Sequence, residues 1–213
     1  MGNKKYELTT DSKVVFGKKV FRIKALISFG NVAAGDLGGY VEKEENLSHD
    51  GNAWVYGDAK VCGNALVCGN AVVYGNAEVY GDAVVYGNAK VRGNAVVCGN
   101  AVVRGNAVVC GNAKVCDSAV VRGNAKVCDS AVVCGNAVVY GNADYLCFKG
   151  LGSQNRNTTF FRCKDGHIHV SCGCFSGNLD EFESKVKETH GESKFAKEYL
   201  SCIETVKIHF EVV

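Results

Sequence analysis

The sequence predicts a mainly β fold, a parallel β-helix, and three observations carry that prediction. A six-residue word repeats sixteen times without insertion across residues 51–146. The third letter of the word is always Ala, and the fifth is Val in every word but the last, where it is Tyr145. The first two letters are Gly followed by Asn, Asp or Ser, except that Asp117 and Asp129 replace the Gly.

The constant letters predict how each word folds. Letters three and five are two residues apart, so their side chains point to the same side of a short strand and form the core. Gly and Asn tolerate positive φ, which makes the first two letters a corner. One strand and one corner per six residues is typical of a hexapeptide β-helix. With three words to a coil, the repeat gives about five to six coils, stacked about 4.8 Å apart.

The repeat divides the chain into three segments. Residues 1–50 carry strand patterns with a turn at Gly17, which predicts an N-terminal β cap and an irregular first coil. Residues 51–146 form the β-helix, and residues 147–213 form a small C-terminal α+β module. A polar cap is expected because a bare coil end would expose unpaired backbone groups.

The C-terminal module is predicted to contain a hairpin followed by helices. The hairpin turns at residues 164–166. Asn178 and Glu181 form the capping box of a first helix, which ends at Gly191, and Ser193 caps a second. The last residues, VKIHFEVV, alternate in polarity, and the sequence leaves open whether they form a strand.

Composition limits the partners and the compartment. The chain has 213 residues with a net charge of +2, which disfavours nucleic acid as a partner. The N-terminus lacks the apolar region of a signal peptide, and no apolar run is long enough to span a bilayer. Twelve Cys residues then predict reduced thiols in a cytoplasm rather than a disulfide scaffold.

The two segments that flank the repeat also resemble those of a known family. They read FRIKALISFGNVAAGDLGGYVEKEENLSHDGNAWVYGDA before the repeat and GSQNRNTTFFRCKDG after it. The repeat resembles that of left-handed hexapeptide β-helix proteins, which implies left-handed coils. The whole chain resembles GNAxVx-repeat proteins found in phage and prophage genomes, which implies a place in the cytoplasm of a bacterial host. That resemblance implies no established activity.

The variable letters distinguish three outward faces. Letters four and six point outward, and words three apart lie on the same face in successive coils. On the third face, letter four is apolar in every coil, and an apolar stripe on an outward face predicts an interface. We expect a homodimer or a homotrimer, with coverage by the C-terminal segment as the alternative. The expected interface residues are Leu66, Val84, Val102, Val120, Val138, Tyr86 and Tyr140.

Four arginines are candidates for binding an anion or a nucleotide. Arg104 and Arg122 lie in the letter-six column of the third face, where Arg can pair with phosphate and Tyr can stack on a base. Arg156 and Arg162 lie in a Gly-led stretch, GLGSQNRNTTFFR, that lacks the phosphate-loop spacing. The simpler interpretations are rim contacts of the interface and a structural loop.

The Cys and His residues do not predict a metal site or a cofactor. The columns of the repeat contain Cys but no His, whereas zinc sites use clustered Cys and His. His167 and His169 share one side of a predicted strand, and Cys172 and Cys174 share the other. We therefore expect both of these Cys side chains in the core.

These observations favour a non-enzymatic binding protein that self-associates. The phage resemblance suggests that it binds and blocks a host factor, as in antiviral defence, or sequesters a nucleotide signal. The alternative is an acyltransferase, because many hexapeptide β-helix proteins resembling this one are acyltransferases with a His base. Residues 51–146 contain neither His nor an insertion, and His49 at the entrance is the nearest candidate base. No catalytic residue is predicted.

Overall fold

The computed structural model describes residues 4–212 and confirms a mainly β parallel solenoid with an N-terminal β cap and a C-terminal α+β module. The cap begins with an antiparallel hairpin of β1 (Tyr6–Val15) and β2 (Lys18–Ala25), which turns at Gly17. β3 (Leu37–Val41) pairs antiparallel with β2 and parallel with the solenoid strand β5 (Lys60–Val61). The cap thus continues one solenoid sheet and pairs the edge of its first solenoid strand.

An irregular opening coil lies between the cap and the repeat, as predicted. Tyr40 and Val41 of β3 align with Lys60 and Val61 of β5, and Leu47 forms a parallel bridge with Val67. A short 3₁₀ helix (Glu44–Asn46) makes the corner between them. With this coil the solenoid has about six turns.

Fifteen two-residue strands, β4 to β18, form the solenoid at intervals of six residues. Each strand from β4 to β15 pairs in parallel with the strand eighteen residues on, so Val84, Val102 and Val120 are stacked in register. Their inward Ala and Val side chains are fully buried and form one continuous core. The strands are Trp54–Val55, Lys60–Val61, Leu66–Val67, Val72–Val73, Glu78–Val79, Val84–Val85, Lys90–Val91, Val96–Val97, Val102–Val103, Val108–Val109, Lys114–Val115, Val120–Val121, Lys126–Val127, Val132–Val133 and Val138–Val139.

The strands make three sheets, which we call faces. The first face is β4, β7, β10, β13 and β16; the second is β5, β8, β11, β14 and β17, continued by the cap. The third face is β6, β9, β12, β15 and β18. The corners are held by side-chain ladders as well as by backbone, since Asn70, Asn88, Asn106 and Asn124 hydrogen bond in sequence at 3.0 to 3.1 Å.

The sixteenth word departs from the prediction. Residues Asn142–Asp144 form a 3₁₀ turn, and Tyr145 begins the antiparallel strand β19 (Tyr145–Leu151). The carboxylate of Asp144 accepts hydrogen bonds from the backbone N–H groups of Tyr140 and Gly141, at 2.7 and 2.9 Å. This local bonding ends the parallel strands at Val139, so the expected boundary at residue 146 falls inside β19.

The C-terminal module has a four-stranded antiparallel sheet and two helices. β20 (Arg156–Arg162) and β21 (Ile168–Cys172) form the predicted hairpin, flanked by β19 and by β22 (Phe175–Asn178). The helices α1 (Leu179–His190) and α2 (Lys194–Phe210) begin at the predicted caps. In the segment left open by the sequence, residues 206–210 are the end of α2, and Val213 lies outside the described residues. The buried residues of α2 follow helical spacing: Ala196, Tyr199, Cys202, Ile203, Val206 and Phe210.

The module closes the end of the solenoid instead of folding back along it. Phe161 is fully buried in the solenoid core, and Cys163 bridges to Ala137 of the last coil. The backbone N–H of Val132 also donates to Thr159 Oγ1 at 3.2 Å. No helix among residues 4–212 has the length and apolar character to cross a membrane.

Candidate functional site

The third face carries an unbroken apolar column. Leu66, Val84, Val102, Val120 and Val138 stack in register, because their strands pair in parallel with no shift. Each of these side chains keeps part of its surface exposed. The column is therefore a flat apolar surface on a rigid sheet.

The other two faces carry charge in the equivalent column. On the second face, Lys60 and Glu78 form an ion pair at 2.9 Å, and Lys114 lies further along. On the first face, Lys90 and Lys126 are exposed. Such residues keep a sheet surface hydrated, so the third face is the one that favours contact with another apolar surface.

The C-terminal segment does not lie where the sequence alternative placed it. The C-terminal module packs on β17 and β18, at the end of the solenoid, rather than along the third face. The N-terminal hairpin lies beside the second face, where the Phe16 ring contacts the Tyr80 ring at 4.8 Å between centroids. Coverage of the third face by the C-terminal segment is thus not the arrangement that the described chain adopts.

The letter-six column beside the stripe pairs arginine with tyrosine. The guanidinium carbon of Arg122 lies 3.8 Å from the centroid of the Tyr140 ring, and that of Arg104 lies 6.0 Å from the Tyr86 ring. Tyr140 is 53% exposed. The Nε atom of Arg122 is buried without a hydrogen-bond partner in the described chain. The two arginines therefore form an edge of positive charge along the apolar stripe.

The other two predicted arginines lie in the C-terminal module. Arg162 Nη2 donates to the carbonyl of Phe210 at 2.9 Å, and its guanidinium lies over the Phe210 ring. Arg162 therefore caps the end of α2, where carbonyl groups lack helical partners. Arg156 is exposed, and its Nη1 lies 3.9 Å from Cys174 Sγ. Arg156 and Arg162 thus lie in the C-terminal module, apart from Arg104 and Arg122 beside the third-face column.

Arg156 lines a pocket of about 310 Å³ between the sheet and the helices of the module. Its floor includes Cys172, Phe182 and Tyr199. The Gly-led stretch runs from the end of β19 through the turn and along β20, and in the turn the N–H of Gly152 donates to Glu198 Oε2 at 3.1 Å. The Glu198 carboxylate thus already accepts the N–H hydrogen bond that a bound anion would need.

One thiol pair stacks between successive coils of the second face. Cys116, Asp117 and Cys134 have ligand-type atoms that all lie within 4.8 Å of one another. The hydrogen bond from Cys116 lowers the pKa of the buried Cys134 thiol. Burial and nearby carboxylates raise the pKa of Cys62, as desolvation of a thiolate predicts.

The two module histidines lie near a cysteine that is outside their own predicted strand. Cys172 is buried, as expected, but Cys174 is exposed, because Gly173 and Cys174 form the turn before β22. The histidines instead meet Cys163, across the β20–β21 turn, with ligand atoms within 4.8 Å of one another. The spacing Cys-x₃-His-x-His around a predicted hairpin turn was the signal that could have found this cluster.

His49 is held inside the cap. Its Nδ1 atom accepts a hydrogen bond from the Lys5 N–H at 3.2 Å, and its ring stacks on Tyr6 at 4.6 Å. Its Nε2 atom lies 3.7 Å from Glu44. The histidine at the entrance of the repeat therefore stabilises packing within the N-terminal cap.

The fold defines a repeat β-solenoid protein, and one comparison agrees with that class. A family model described as a YdcK beta solenoid repeat matches residues 59–75, from the end of one corner through β7 to the next. No curated protein matches the chain. The match covers only a small part of the chain, so it supports a solenoid of repeats and no activity.

Proposed function

We propose that this chain is a non-catalytic binding protein that self-associates through its third face. The observation that carries the proposal is the column from Leu66 to Val138, five coils tall, apolar at every position and partly exposed. Large contiguous apolar surfaces on soluble proteins mark sites of interaction. Association would remove this surface from water at roughly 25 cal/mol per Å² of apolar area.

A second copy of the chain fits this face better than an unrelated partner. In a symmetric dimer the same patch meets itself, and the column carries no charge that would then face an identical charge. Both copies repeat at the same coil spacing, so valines of one column can lie between those of the other. Arg104 and Arg122 would lie at the rim, where charge remains hydrated.

The finer proposal concerns what the oligomer binds. We infer a cytoplasmic protein of a phage or prophage that blocks a bacterial host factor, since the flanking segments resemble those of such proteins. The solenoid would then be a rigid support that presents its two end modules. Antiviral defence is the process in which such blocking would act.

A nucleotide signal is a second candidate ligand, and one observation favours it. The Arg122 guanidinium lies over the exposed Tyr140 ring, and its Nε has no partner among the described residues. Arginine pairs with phosphate and aromatic rings stack on bases. Charge reversal of Arg104 and Arg122 should abolish the binding of a nucleotide measured by calorimetry. Arg92→Glu on the first face is the control and should retain that binding. Unchanged binding would remove this candidate.

The acyltransferase alternative receives less support. An acyltransferase of this kind needs a base beside its acceptor, and the strands of the solenoid carry no His. Both ring nitrogens of His49 face groups of the cap.

Charged substitutions on matched positions of two faces test the proposal. Val102→Glu with Val120→Glu should reduce the solution mass from that of an oligomer to that of one chain, because carboxylates in an apolar interface must be desolvated. Val72→Glu with Val108→Glu, at the same letter on the first face, should give a variant with the same solution mass as the wild-type protein. Light scattering measures the mass, and far-UV circular dichroism shows whether each variant is folded. A folded third-face variant with wild-type mass would contradict the proposal.

A further inference from the structure

The turn between β20 and β21 brings one thiol and two imidazoles together. Cys163 is buried at the start of the turn, and His167 and His169 follow it. The turn is closed on both sides, since Cys163 N–H donates to the carbonyl of His167 at 2.9 Å and Gly166 N–H donates to that of Cys163 at 3.0 Å. The ligand atoms of the three side chains then lie within 4.8 Å of one another.

Each imidazole is oriented by a second hydrogen bond. His167 Nδ1 lies 2.5 Å from the Asp165 carboxylate, which leaves Nε2 available to a ligand. His169 Nε2 lies 2.8 Å from Ser176 Oγ, which leaves Nδ1 available. A carboxylate or hydroxyl on the far nitrogen is the usual support of a metal-bound histidine, because it fixes the tautomer and orients the ring.

We propose that Cys163, His167 and His169 bind one zinc ion. Zinc prefers thiolate and imidazole ligands in a tetrahedral arrangement, and three protein ligands leave the fourth position to water. Binding would release the thiol proton of Cys163 to solvent, because the thiolate is the form that coordinates. His167 is exposed, so the ion can enter from solvent.

The position of the cluster gives the metal a structural role. Cys163 bridges to Ala137 of the last coil, and the Lys164 N–H donates to the carbonyl of Asn136 at 3.3 Å. The other two ligands belong to β21 and its turn, within the C-terminal module. All three ligands belong to the β20–β21 hairpin, so zinc would fix the turn by which the module contacts the last coil of the solenoid.

Zinc alone is the probe that tests this inference. The reduced full-length chain is dialysed against zinc chloride and then against metal-free buffer, and bound zinc is measured by atomic absorption. We expect one zinc per chain and a higher thermal midpoint with zinc than with a chelator. His167→Gln with His169→Gln should remove both effects, and Asp165→Asn should weaken binding by roughly 10–100-fold. Because His167 is exposed, His167→Gln alone provides a variant with little risk to folding.

Other thiols provide the matched controls. Cys174→Ser removes the exposed thiol, and Cys116→Ser removes a member of the second cluster. Both variants should retain one zinc. Replacing zinc with cobalt should give a thiolate-to-cobalt charge-transfer band that disappears in Cys163→Ser. No zinc on the wild-type chain, or full binding after loss of both histidines, would overturn the proposal, and loss in Cys116→Ser would place the ion at the other cluster.

Discussion

Phe160 and Phe161 are neighbours in β20, and their rings lie in two different hydrophobic cores. Both are fully buried. Phe161 closes the solenoid core, whereas Phe160 packs with Phe182 in the core of the C-terminal module. Successive side chains of a strand point to opposite sides, so one strand serves as the wall between the two units.

This arrangement predicts distinct effects for two adjacent substitutions. Phe161→Ala should destabilise the protein by about 3–5 kcal/mol and leave a cavity at the end of the solenoid. Hydrogen exchange of backbone amides should then increase most in β17 and β18. Phe160→Ala should instead increase exchange most in α1 and α2. Identical exchange patterns for the two variants would show that the cores are not separate.

The corners predict a contrast between two glycines. Gly105 and Gly135 both have positive φ, at 70° and 63°, where an L residue costs about 1–2 kcal/mol. A Cβ at Gly105 would also lie 3.1 Å from the backbone N and O of Gly123 in the next coil, whereas nothing lies within 4 Å of one at Gly135. Gly105→Ala should therefore lower the thermal midpoint more than Gly135→Ala. Equal losses would mean that backbone conformation alone requires these glycines.

The buried Lys5 predicts a dependence of stability on pH. It is 1% exposed, and its Nζ donates to the carbonyl of Ala53 at 3.0 Å. Burial lowers its pKa to about 8 from the ordinary 10.5, so the unfolded chain holds more protons between these values. The free energy of unfolding should thus rise with pH from about 8 to 10.5, whereas the cost of charging Lys5 is fully present below pH 8.

Urea unfolding at pH 7 to 10 measures this effect when the free energy of unfolding of the wild-type protein is compared with that of Lys5→Met. The methionine side chain of this variant does not titrate. The wild-type protein should gain stability relative to that variant as the pH rises through 8. Lys24→Met, at an exposed position in β2, is the matched control. Parallel curves for wild type and Lys5→Met would contradict the assigned pKa.

Exposure predicts which thiol reacts first. Cys174 is exposed in the β21–β22 turn, and the other eleven cysteines are buried or partly buried. A bulky maleimide should therefore label one thiol rapidly in the folded chain, and Cys174→Ser should remove that fast phase. Mass spectrometry locates the label. Rapid labelling at several sites of a folded sample would show that the solenoid opens readily.

Much of the fold could be predicted because the same pattern of core and corner residues recurs in sixteen words. The buried Ala and Val letters, the corners and the helix caps follow from local chemistry, as Asn178 and Ser193 illustrate. The end of the repeat could not be read in the same way. The word at 141–146 has nearly the letters of the others, but the hydrogen bonds that the Asp144 carboxylate accepts and the pairing with β20 override its pattern.

The candidate sites also differ in how far the sequence could predict them. The third-face column follows from counting words in threes, so Val84, Val102 and Val120 could be placed in one line. The Cys163 cluster depends on a turn that joins two strands, which alternation along one strand does not describe. Cys174 was misplaced for the same reason, since the strand had already ended.

The solution mass of the wild-type chain tests the central claim most directly. One chain has a mass of 22.7 kDa. Light scattering during size exclusion, over a range of protein concentrations, should give a mass two or three times that value, with the third face as the contact. A mass of one chain at every concentration would contradict self-association through the third face.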